Sequence, residues 1–306
     1  MGVFLPIGGK TMNKIVVCGL SNRALGMFIH SIIHQFGSKN QVVGVLDTDP
    51  RRMELCKESF PELASVPTYH PEQFQQMIEE TKPDTVIVTS RDDTHIDYIL
   101  KGLENDLTVI TEKPMVTKAD DARRVIEAEK ASKGKVIVAF NYRYNPFHRK
   151  IKEMILEGKI GRVTSVDLNW YIDTFHGASY FKRWNRNRNY SGGLSIHKST
   201  HHFDLVNWWL DQKPEEVFAY GALNYFGKDG EFNPSPTDNR YCSTCQEKTS
   251  CDYYMRWSNR RNNLAVKDDH IKADSIEKSA HNYTDYRPDS CIFDHEIEIE
   301  DTYVAT

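Results

Sequence analysis

The chain lacks what three broad classes of protein require. No stretch approaches the roughly 20 consecutive apolar residues of a membrane span, and the mean hydropathy is -0.58. Acidic residues outnumber basic ones by 43 to 39, so no global positive field is available to hold a nucleic-acid backbone. Six cysteines among 306 residues are too few for a disulfide scaffold. We therefore expect a soluble, cytoplasmic chain that binds neither membranes nor nucleic acid.

What is present indicates globular structure. Aromatic residues make up 11% of the chain, too many for a disordered protein, and the length suits about two domains. Residues 1–12 contain an apolar patch broken by Pro6 and two glycines, without a basic start. They do not have the pattern of a signal peptide, and we interpret them as a disordered leader. Residues 13–142 and 143–306 are the two predicted domains.

The first domain shows the pattern of βαβ units around a parallel sheet. Its predicted strands are nearly continuous apolar runs, as expected when helices cover both faces of a sheet: 14–18, 41–46, 85–89, 108–111 and 136–140. Thr117 and Asp120 are spaced as a capping box for a helix over 118–132. Asn145 and Pro146 are residue types that begin a helix. These patterns predict an α/β fold.

Beyond Gly161 the periodicity changes. Apolar and polar residues alternate from Val166 to Tyr171, which predicts a half-exposed strand and a second domain with a one-faced sheet. Further patterns predict a helix over 199–210 and strands over 217–225 and 292–300. The polar stretch at about 227–290, which contains cysteines, is interpreted as an insertion. Because the chain stops soon after a predicted strand, we expect the sheet to be truncated.

The turn after the first strand is a candidate nucleotide-binding turn. Gly19 is followed by Ser21, Asn22 and Arg23 where a helix begins, and small residues at such a turn let backbone amides approach a pyrophosphate. A plain strand-to-helix turn remains an alternative. Asp47 ends the second strand, where a carboxylate accepts hydrogen bonds from ribose hydroxyls and disfavours a 2'-phosphate.

That position favours NAD over NADP, although Arg51 and Arg52 are nearby in sequence. Asp47 is also a plausible turn residue, and the two roles are compatible. Further polar segments follow the later strands, at the sheet edge where open α/β proteins bind ligands. They are Thr89, Ser90, Thr94 and His95; Glu112, Lys113 and Pro114; and Asn141 through Pro146.

These motifs, with Gly192-Gly193 leading to His201-His202-Phe203-Asp204, resemble the glucose-fructose oxidoreductase/inositol dehydrogenase/MocA-type oxidoreductases from about Lys14 to Thr306. The resemblance implies a Rossmann domain followed by an α+β domain with an open, mostly antiparallel sheet. It also implies a nicotinamide cofactor and hydride transfer at a carbinol of a sugar, cyclitol or related compound. Homo-oligomers that form through the second sheet are a further expectation.

Carried onto this chain, the resemblance assigns Lys113 and His201 to proton handling at the reacting hydroxyl. A surface lysine and a core histidine are the structural alternatives. His197 stands where the family usually has aspartate, which puts the proton acceptor in doubt, so we include it among the catalytic candidates. On one helix His197 and His201 would share a face, and a metal pair is a lesser alternative. The cofactor-binding candidates are Gly19, Ser21, Asn22, Arg23, Asp47, Thr89, Ser90, Thr94, His95, Glu112, Lys113 and Asn141.

The substrate candidates are aromatic, basic or imidazole side chains, which stack on and hydrogen-bond to polyhydroxylated or acidic sugars. They are Arg143, Tyr144, Tyr171, Trp184, His197 and His201, with His176, Arg183 and Arg186 as further possibilities. Cys242, Cys245, Cys251 and Cys291 could bind a structural zinc ion or, less plausibly from their spacing, an iron-sulfur cluster. Free thiols are the alternative.

The leading hypothesis is an NAD-dependent oxidoreductase that acts on a secondary hydroxyl of a sugar, cyclitol or sugar derivative. Two alternatives keep the cofactor. One is a redox-neutral NAD-dependent glycoside hydrolase, and the other is an NAD-binding sensor or partner subunit without turnover.

Overall fold

The computed structural model describes residues 12–255 and 290–306, apart from 243 and 248. The predicted leader up to residue 11, and residues 256–289 of the predicted insertion, lie outside this range. The chain divides into two compact units, Met1–Arg149 and Lys150–Thr306. No helix in the described ranges is both long and apolar enough to cross a membrane.

The first unit is built on a six-stranded parallel sheet with strand order β3-β2-β1-β4-β5-β6. This is the order of a doubly wound dinucleotide-binding fold, so the predicted α/β class is confirmed. The strands are β1 Asn13–Cys18, β2 Asn40–Leu46, β3 Thr68–Tyr69, β4 Thr85–Val88, β5 Thr108–Thr111 and β6 Lys135–Val138.

The apolar runs of these strands supply two hydrophobic clusters, one on each face of the sheet. Val16, Val86 and Val109 belong to one cluster, while Ile15 and Ile87 belong to the other. Successive residues of a strand point to opposite faces, which is why a buried parallel strand needs apolar residues at nearly every position.

In the first unit, an α-helix follows each of the strands β1 to β5 along the chain. They are α1 His30–His34, α2 Pro50–Ser59, α3 Phe74–Thr81, α4 His95–Glu104 and α5 Ala119–Ala131, and a π-helical segment, Ala24–Ile29, leads into α1. The predicted capping box of α5 is wrong: Lys118 occupies the N-cap and makes no side-chain cap hydrogen bond. Helix α6, Pro146–Leu156, begins as predicted, with Asn145 Oδ1 accepting from Phe147 N at 2.9 Å.

The second unit contains short helices and an antiparallel pair of strands. After α6 the helices are α7 Thr174–Lys182, α8 Arg188–Ser191, α9 Leu194–His197 and α10 Thr200–Leu210, and β7 Ala219–Ala222 pairs with β8 Thr302–Ala305. Its core includes Phe181 stacked on Phe226 at 3.8 Å between ring centroids, with Ile292, Phe293 and Ile299 in the same cluster.

Two strand predictions for this unit are wrong. Residues 166–171 and 292–300 form no strand, although both alternate in sequence. A strand requires a neighbour for its backbone hydrogen bonds, and the partner of β7 is Thr302–Ala305, which begins just after the predicted run. The side chains of 292–300 instead enter the core or form ion pairs, as Arg186 does with Glu296.

Candidate active site

The turn after β1 is pressed against the loop after β4. Gly19 has φ of +89°, and a Cβ at this position would lie 2.4 Å from the backbone N and Cα of Ser90. Its N–H donates to Leu46 O at 2.8 Å, and its carbonyl accepts from Thr89 Oγ1 at 2.5 Å. Only glycine combines this φ with this close approach.

Asp47 fixes the geometry of the same turn. Its side chain is buried, with Oδ2 accepting from Leu20 N at 2.6 Å and Oδ1 accepting from Asp49 N at 2.9 Å. Thr48 Oγ1 also donates to Asp47 Oδ1, at 3.4 Å. Arg52, which could soften the preference for NAD, donates to Leu20 O at 3.3 Å. Direct contact between Asp47 and a ribose stays a prediction.

The loop after β4 is joined to the loop after β5 by His95. The His95 ring is fully buried, and its Nδ1 and Nε2 lie 2.8 Å from Pro114 O and 3.2 Å from Ser90 O. Thr94 Oγ1 also donates to Ser90 Oγ at 2.8 Å. His95 therefore positions both loops, a role that sequence reasoning missed because Pro114 contributes only its carbonyl.

Glu112 and Lys113 lie at the end of β5, and the Lys113–Pro114 peptide bond is cis. Glu112 is buried, accepts from Lys113 N at 3.1 Å and faces Arg23 Nε at 3.5 Å. Arg23 is 44% exposed, so this ion pair contributes little stability. It does join two predicted cofactor residues at one edge of the sheet.

The remaining cofactor candidates lie near strand ends. Ser21 Oγ accepts from Ala24 N at 3.3 Å, Asn22 is exposed at the start of the first helical segment, and Asn141 begins a 3-10 turn after β6. The structure thus groups Gly19, Asp47, Ser90 and Glu112 at the carboxyl ends of β1, β2, β4 and β5. Backbone amides at a helix start, serine and threonine hydroxyls and a carboxylate form a donor and acceptor set that fits a dinucleotide.

In the second unit His197 lies in a polar and aromatic surround. Its Nε2 is 3.2 Å from Asn185 Nδ2, and its ring is edge-on to Tyr180 and Trp184 at 5.6 Å. An amide N–H donates, so Nε2 is the acceptor and a neutral ring carries its proton on Nδ1. No sequence signal had singled out Tyr180 or Asn185.

His197 and His201 do not share a helix, so the condition for a common helical face is not met. His197 ends α9, and α10 begins at Thr200 after an interruption at Lys198 and Ser199. His201 is 4% exposed in the first turn of α10. Among described residues, the two imidazoles belong to no group of three or more potential metal ligands.

The substrate candidates differ in how the structure uses them. Tyr171 is 90% exposed, Tyr144 is also exposed, and Arg143 lies over the Phe140 ring. His176 stacks on Tyr180, with its Nε2 3.3 Å from the Tyr180 hydroxyl. Arg186 forms ion pairs with Asp294 and Glu296, so its guanidinium connects two parts of the second unit.

The structure does not support the predicted zinc site. The six cysteines all lie among the described residues, and none of them forms a disulfide. Among described residues, the group of three or more potential ligands with all ligand atoms within 4.8 Å is Asp238, Asp294 and His295, and it contains no cysteine. His295 Nδ1 lies 3.3 Å from Asp238 Oδ1 and 3.1 Å from Asp294 Oδ1. Cys291 lies in the apolar core, and burial raises the pKa of its thiol to about 11.

The fold and the carboxyl-edge residues define a dinucleotide-binding α/β protein. Residues 13–140 match the family model described as an oxidoreductase family, NAD-binding Rossmann fold, and residues 152–284 match the C-terminal alpha/beta domain of the same family. The chain therefore belongs to the glucose-fructose oxidoreductase/inositol dehydrogenase/MocA family of NAD(P)-dependent oxidoreductases.

Individual relatives agree with this assignment. A Bacillus subtilis (strain 168) protein named as the oxidoreductase YteT is 63% identical to this chain, over 96% of this chain and 68% of its own length. An inositol 2-dehydrogenase of Rubrobacter xylanophilus is 29% identical over 59% of this chain and 48% of that protein. The WlbA dehydrogenase of Bordetella pertussis, solved with NADH and UDP-GlcNAcA, shares the fold with a TM-score of 0.60 at 21% identity.

The WlbA match covers 71% of this chain and 60% of that one. The chain thus spans about half to two thirds of the length of these three relatives.

Proposed function

We propose that this chain oxidises a secondary hydroxyl of a sugar, cyclitol or sugar derivative with NAD. The single observation that carries the proposal is the grouping of Gly19, Asp47, Ser90 and Glu112 at one sheet edge, directly beside Lys113. Two similar proteins support the choice of substrate class: one is named inositol 2-dehydrogenase, and the other is a dehydrogenase solved with a nucleotide sugar. Both ligands contain a polyhydroxylated ring. Bound NAD supplies the hydride acceptor.

The residues of this chain handle the proton. Oxidation of an alcohol requires loss of the hydroxyl proton along with the hydride, so a base must reach that proton. In this proposal Lys113 polarises the hydroxyl oxygen and His201 accepts its proton. His197, held by Asn185, binds the substrate and is the second candidate base. Asp47 favours NAD over NADP because its carboxylate repels a 2'-phosphate.

The test begins with the cofactor. Purified protein is denatured and its nucleotide content is measured. Native protein is then incubated with NAD and a panel that starts with myo-inositol and includes free sugars, alditols and aryl glycosides, while NADH absorbance and glycone release are followed together. NADH formed on a free polyol is the expected result.

Two other outcomes would replace the proposal. Glycone release without net NADH would identify a redox-neutral hydrolase, and NAD binding without turnover of any panel member would identify a sensor or partner subunit. Protein that neither contains nor binds nucleotide would contradict all three functions.

Variants assign the roles. Lys113→Met and His201→Asn are each expected to lower kcat by about a hundredfold or more, the usual contribution of a positioned acid or base. His201→Asn should keep the NAD affinity within about twofold of wild type, whereas Lys113→Met also removes a candidate cofactor contact and should weaken NAD binding. Lys130→Met is the matched control, since Lys130 is an exposed residue of α5. If Lys113→Met keeps wild-type kcat, the lysine is not part of the proton path.

We also propose that the second unit mediates self-association. Phe218, Tyr220 and Val304 are 62%, 69% and 59% exposed at the β7–β8 pair, and contiguous exposed apolar residues mark interaction surfaces. Light scattering coupled to size exclusion should give a multiple of 35.4 kDa, and Tyr220→Lys should reduce it. A monomeric mass for the wild type would contradict the proposal.

A further inference from the structure

Glu300 is a buried carboxylate that none of the functional assignments uses. It lies two residues before β8 and is 8% exposed. Its Oε1 accepts from Ser195 N at 2.6 Å, and its Oε2 accepts from Arg188 Nη2 at 2.7 Å. Ser195 belongs to α9 and Arg188 to α8. One carboxylate therefore joins two helices that are more than 100 residues away in sequence.

The turn between these helices is shaped around the carboxylate. Gly193 has φ of +91°, and a Cβ there would lie 2.7 Å from Glu300 Oε2 and 2.6 Å from Arg188 Nη1. The close packing explains why a glycine occupies this position, since any side chain would displace the ion pair. Because both oxygens of this buried carboxylate accept hydrogen bonds, and one of them from a cation, the position of the Glu300 side chain is fixed.

The same network reaches the His197 ring. His197 is the last residue of α9, the four-residue helix whose backbone Glu300 holds. Ser191 Oγ accepts from Gly193 N at 3.1 Å and donates to Asn185 O at 2.7 Å. Asn185 in turn lies 3.2 Å from His197 Nε2. Both the helix that carries His197 and the residue that contacts its ring are thus tied to the turn that Glu300 fixes.

We infer that Glu300 is a positioning residue that sets the orientation and tautomer of His197, acting through Ser195, Arg188 and Gly193. The catalytic consequence rests on the proposed function, whereas the structural one does not. Without the carboxylate, Ser195 N loses its acceptor and Arg188 keeps only its bonds to the carbonyls of Gly192 and Glu298, so α9 can shift and the His197–Asn185 contact can break. A displacement of about 1 Å can lower turnover by about a hundredfold.

The experiment uses Glu300→Gln, which keeps the size of the side chain but sets an uncharged amide against Arg188. Glu298→Gln is the matched control, because Glu298 is exposed on the same segment. Nitrogen NMR of the imidazole rings, assigned with His197→Asn, reports the tautomer and the titration of His197 without any substrate. We expect Glu300→Gln to change both, and Glu298→Gln to change neither.

Activity supplies the second measurement. On the polyol that wild type oxidises, Glu300→Gln should lower kcat by about tenfold to a hundredfold, with an unchanged dissociation constant for NAD. An unaltered His197 spectrum in a folded Glu300→Gln protein overturns the inference, whatever the activity. If Glu300→Gln does not fold, Arg188→Met, which keeps the carboxylate but removes the guanidinium that pairs with it, must alter the His197 spectrum instead. Absence of any oxidised substrate overturns the proposed function while the spectrum still decides the role of Glu300.

Discussion

Gly19 shows how one residue can decide whether the nucleotide turn forms. A Cβ at Gly19 would overlap the backbone of Ser90 at a positive φ, and neither part of the backbone can rotate away as a side chain could. We predict that Gly19→Ala lowers the free energy of unfolding by about 1–3 kcal/mol and weakens NAD binding. Urea unfolding and calorimetric titration with NAD measure the two effects.

Gly26 is the control for this prediction. It lies in the helical segment that follows the turn, and a Cβ there would meet no atom within 4 Å. Gly26→Ala should therefore leave NAD affinity unchanged and stabilise the chain by about 0.5–1 kcal/mol, the helical preference for alanine. Equal losses in both variants would contradict the argument from Ser90.

Glu300 should make stability depend on pH in the acid range. Burial acts to raise the pKa of its carboxyl, but hydrogen bonds from Ser195 and Arg188 outweigh burial and hold the pKa below its ordinary value of 4.5. A group with a depressed folded pKa stabilises the fold above its unfolded pKa, and this contribution is lost as pH falls through the folded pKa.

We predict that the free energy of unfolding of Glu300→Gln falls less steeply than that of wild type as pH drops below about 4.5. Urea unfolding from neutral pH into the acid range measures both slopes. Glu298→Gln should retain the wild-type slope, and parallel curves for wild type and Glu300→Gln would refute the assignment.

At the scale of the element, helix α5 begins without a side-chain cap. Lys118 has the extended backbone of an N-cap, with φ of -129° and ψ of 144°, but makes no cap hydrogen bond. Serine at this position can accept from the amides of the first turn. Lys118→Ser should therefore raise the free energy of unfolding by about 0.5–2 kcal/mol, measured by urea unfolding. Lys118→Ala, which offers no acceptor, should give no such gain.

Elements buried on both sides were predictable from sequence, whereas elements defined by a partner were not. Residues 15–18 of β1 and 86–88 of β4 are apolar at every position, so these runs stand out before any fold is known. Strand β3 contains only Thr68 and Tyr69, too short to leave a pattern. Residues 166–171 alternate as a strand does, yet Val166 and Trp170, on the face predicted to be buried, are 43% and 41% exposed. Alternation cannot show whether a neighbouring strand exists.

The site divides in the same way. Gly19, Asp47 and Glu112 were found because their residue types stand at strand ends, which local sequence reveals. The contacts between candidates were not, since Ser90, itself a candidate, approaches Gly19 across 71 residues of chain. Asn185 and Glu300 were not candidates at all, because they carry no motif. Contacts of this kind depend on the tertiary fold, and one sequence gives no periodic signal for them.

At the scale of the whole molecule, cofactor binding should be visible as stability. A ligand that binds only the folded chain stabilises it by about 2.7 kcal/mol at a concentration of 100 times its dissociation constant. We predict that NAD raises the melting temperature more than NADP does at equal concentration, because the 2'-phosphate adds negative charge near the Asp47 carboxylate. Thermal unfolding with each nucleotide, and with AMP as a non-nicotinamide control, measures this difference.

The variant Asp47→Ser distinguishes the effect of the Asp47 charge on cofactor preference from its effect on folding stability. The variant loses the acceptors of Leu20 N and Asp49 N, so without nucleotide it should unfold more easily by about 1–3 kcal/mol. The decisive quantity is therefore the shift that each nucleotide causes, taken relative to the same protein without nucleotide. Removal of the carboxylate should bring the NADP shift closer to the NAD shift, whereas an unchanged difference would mean that other residues, Arg51 and Arg52 included, set the cofactor preference.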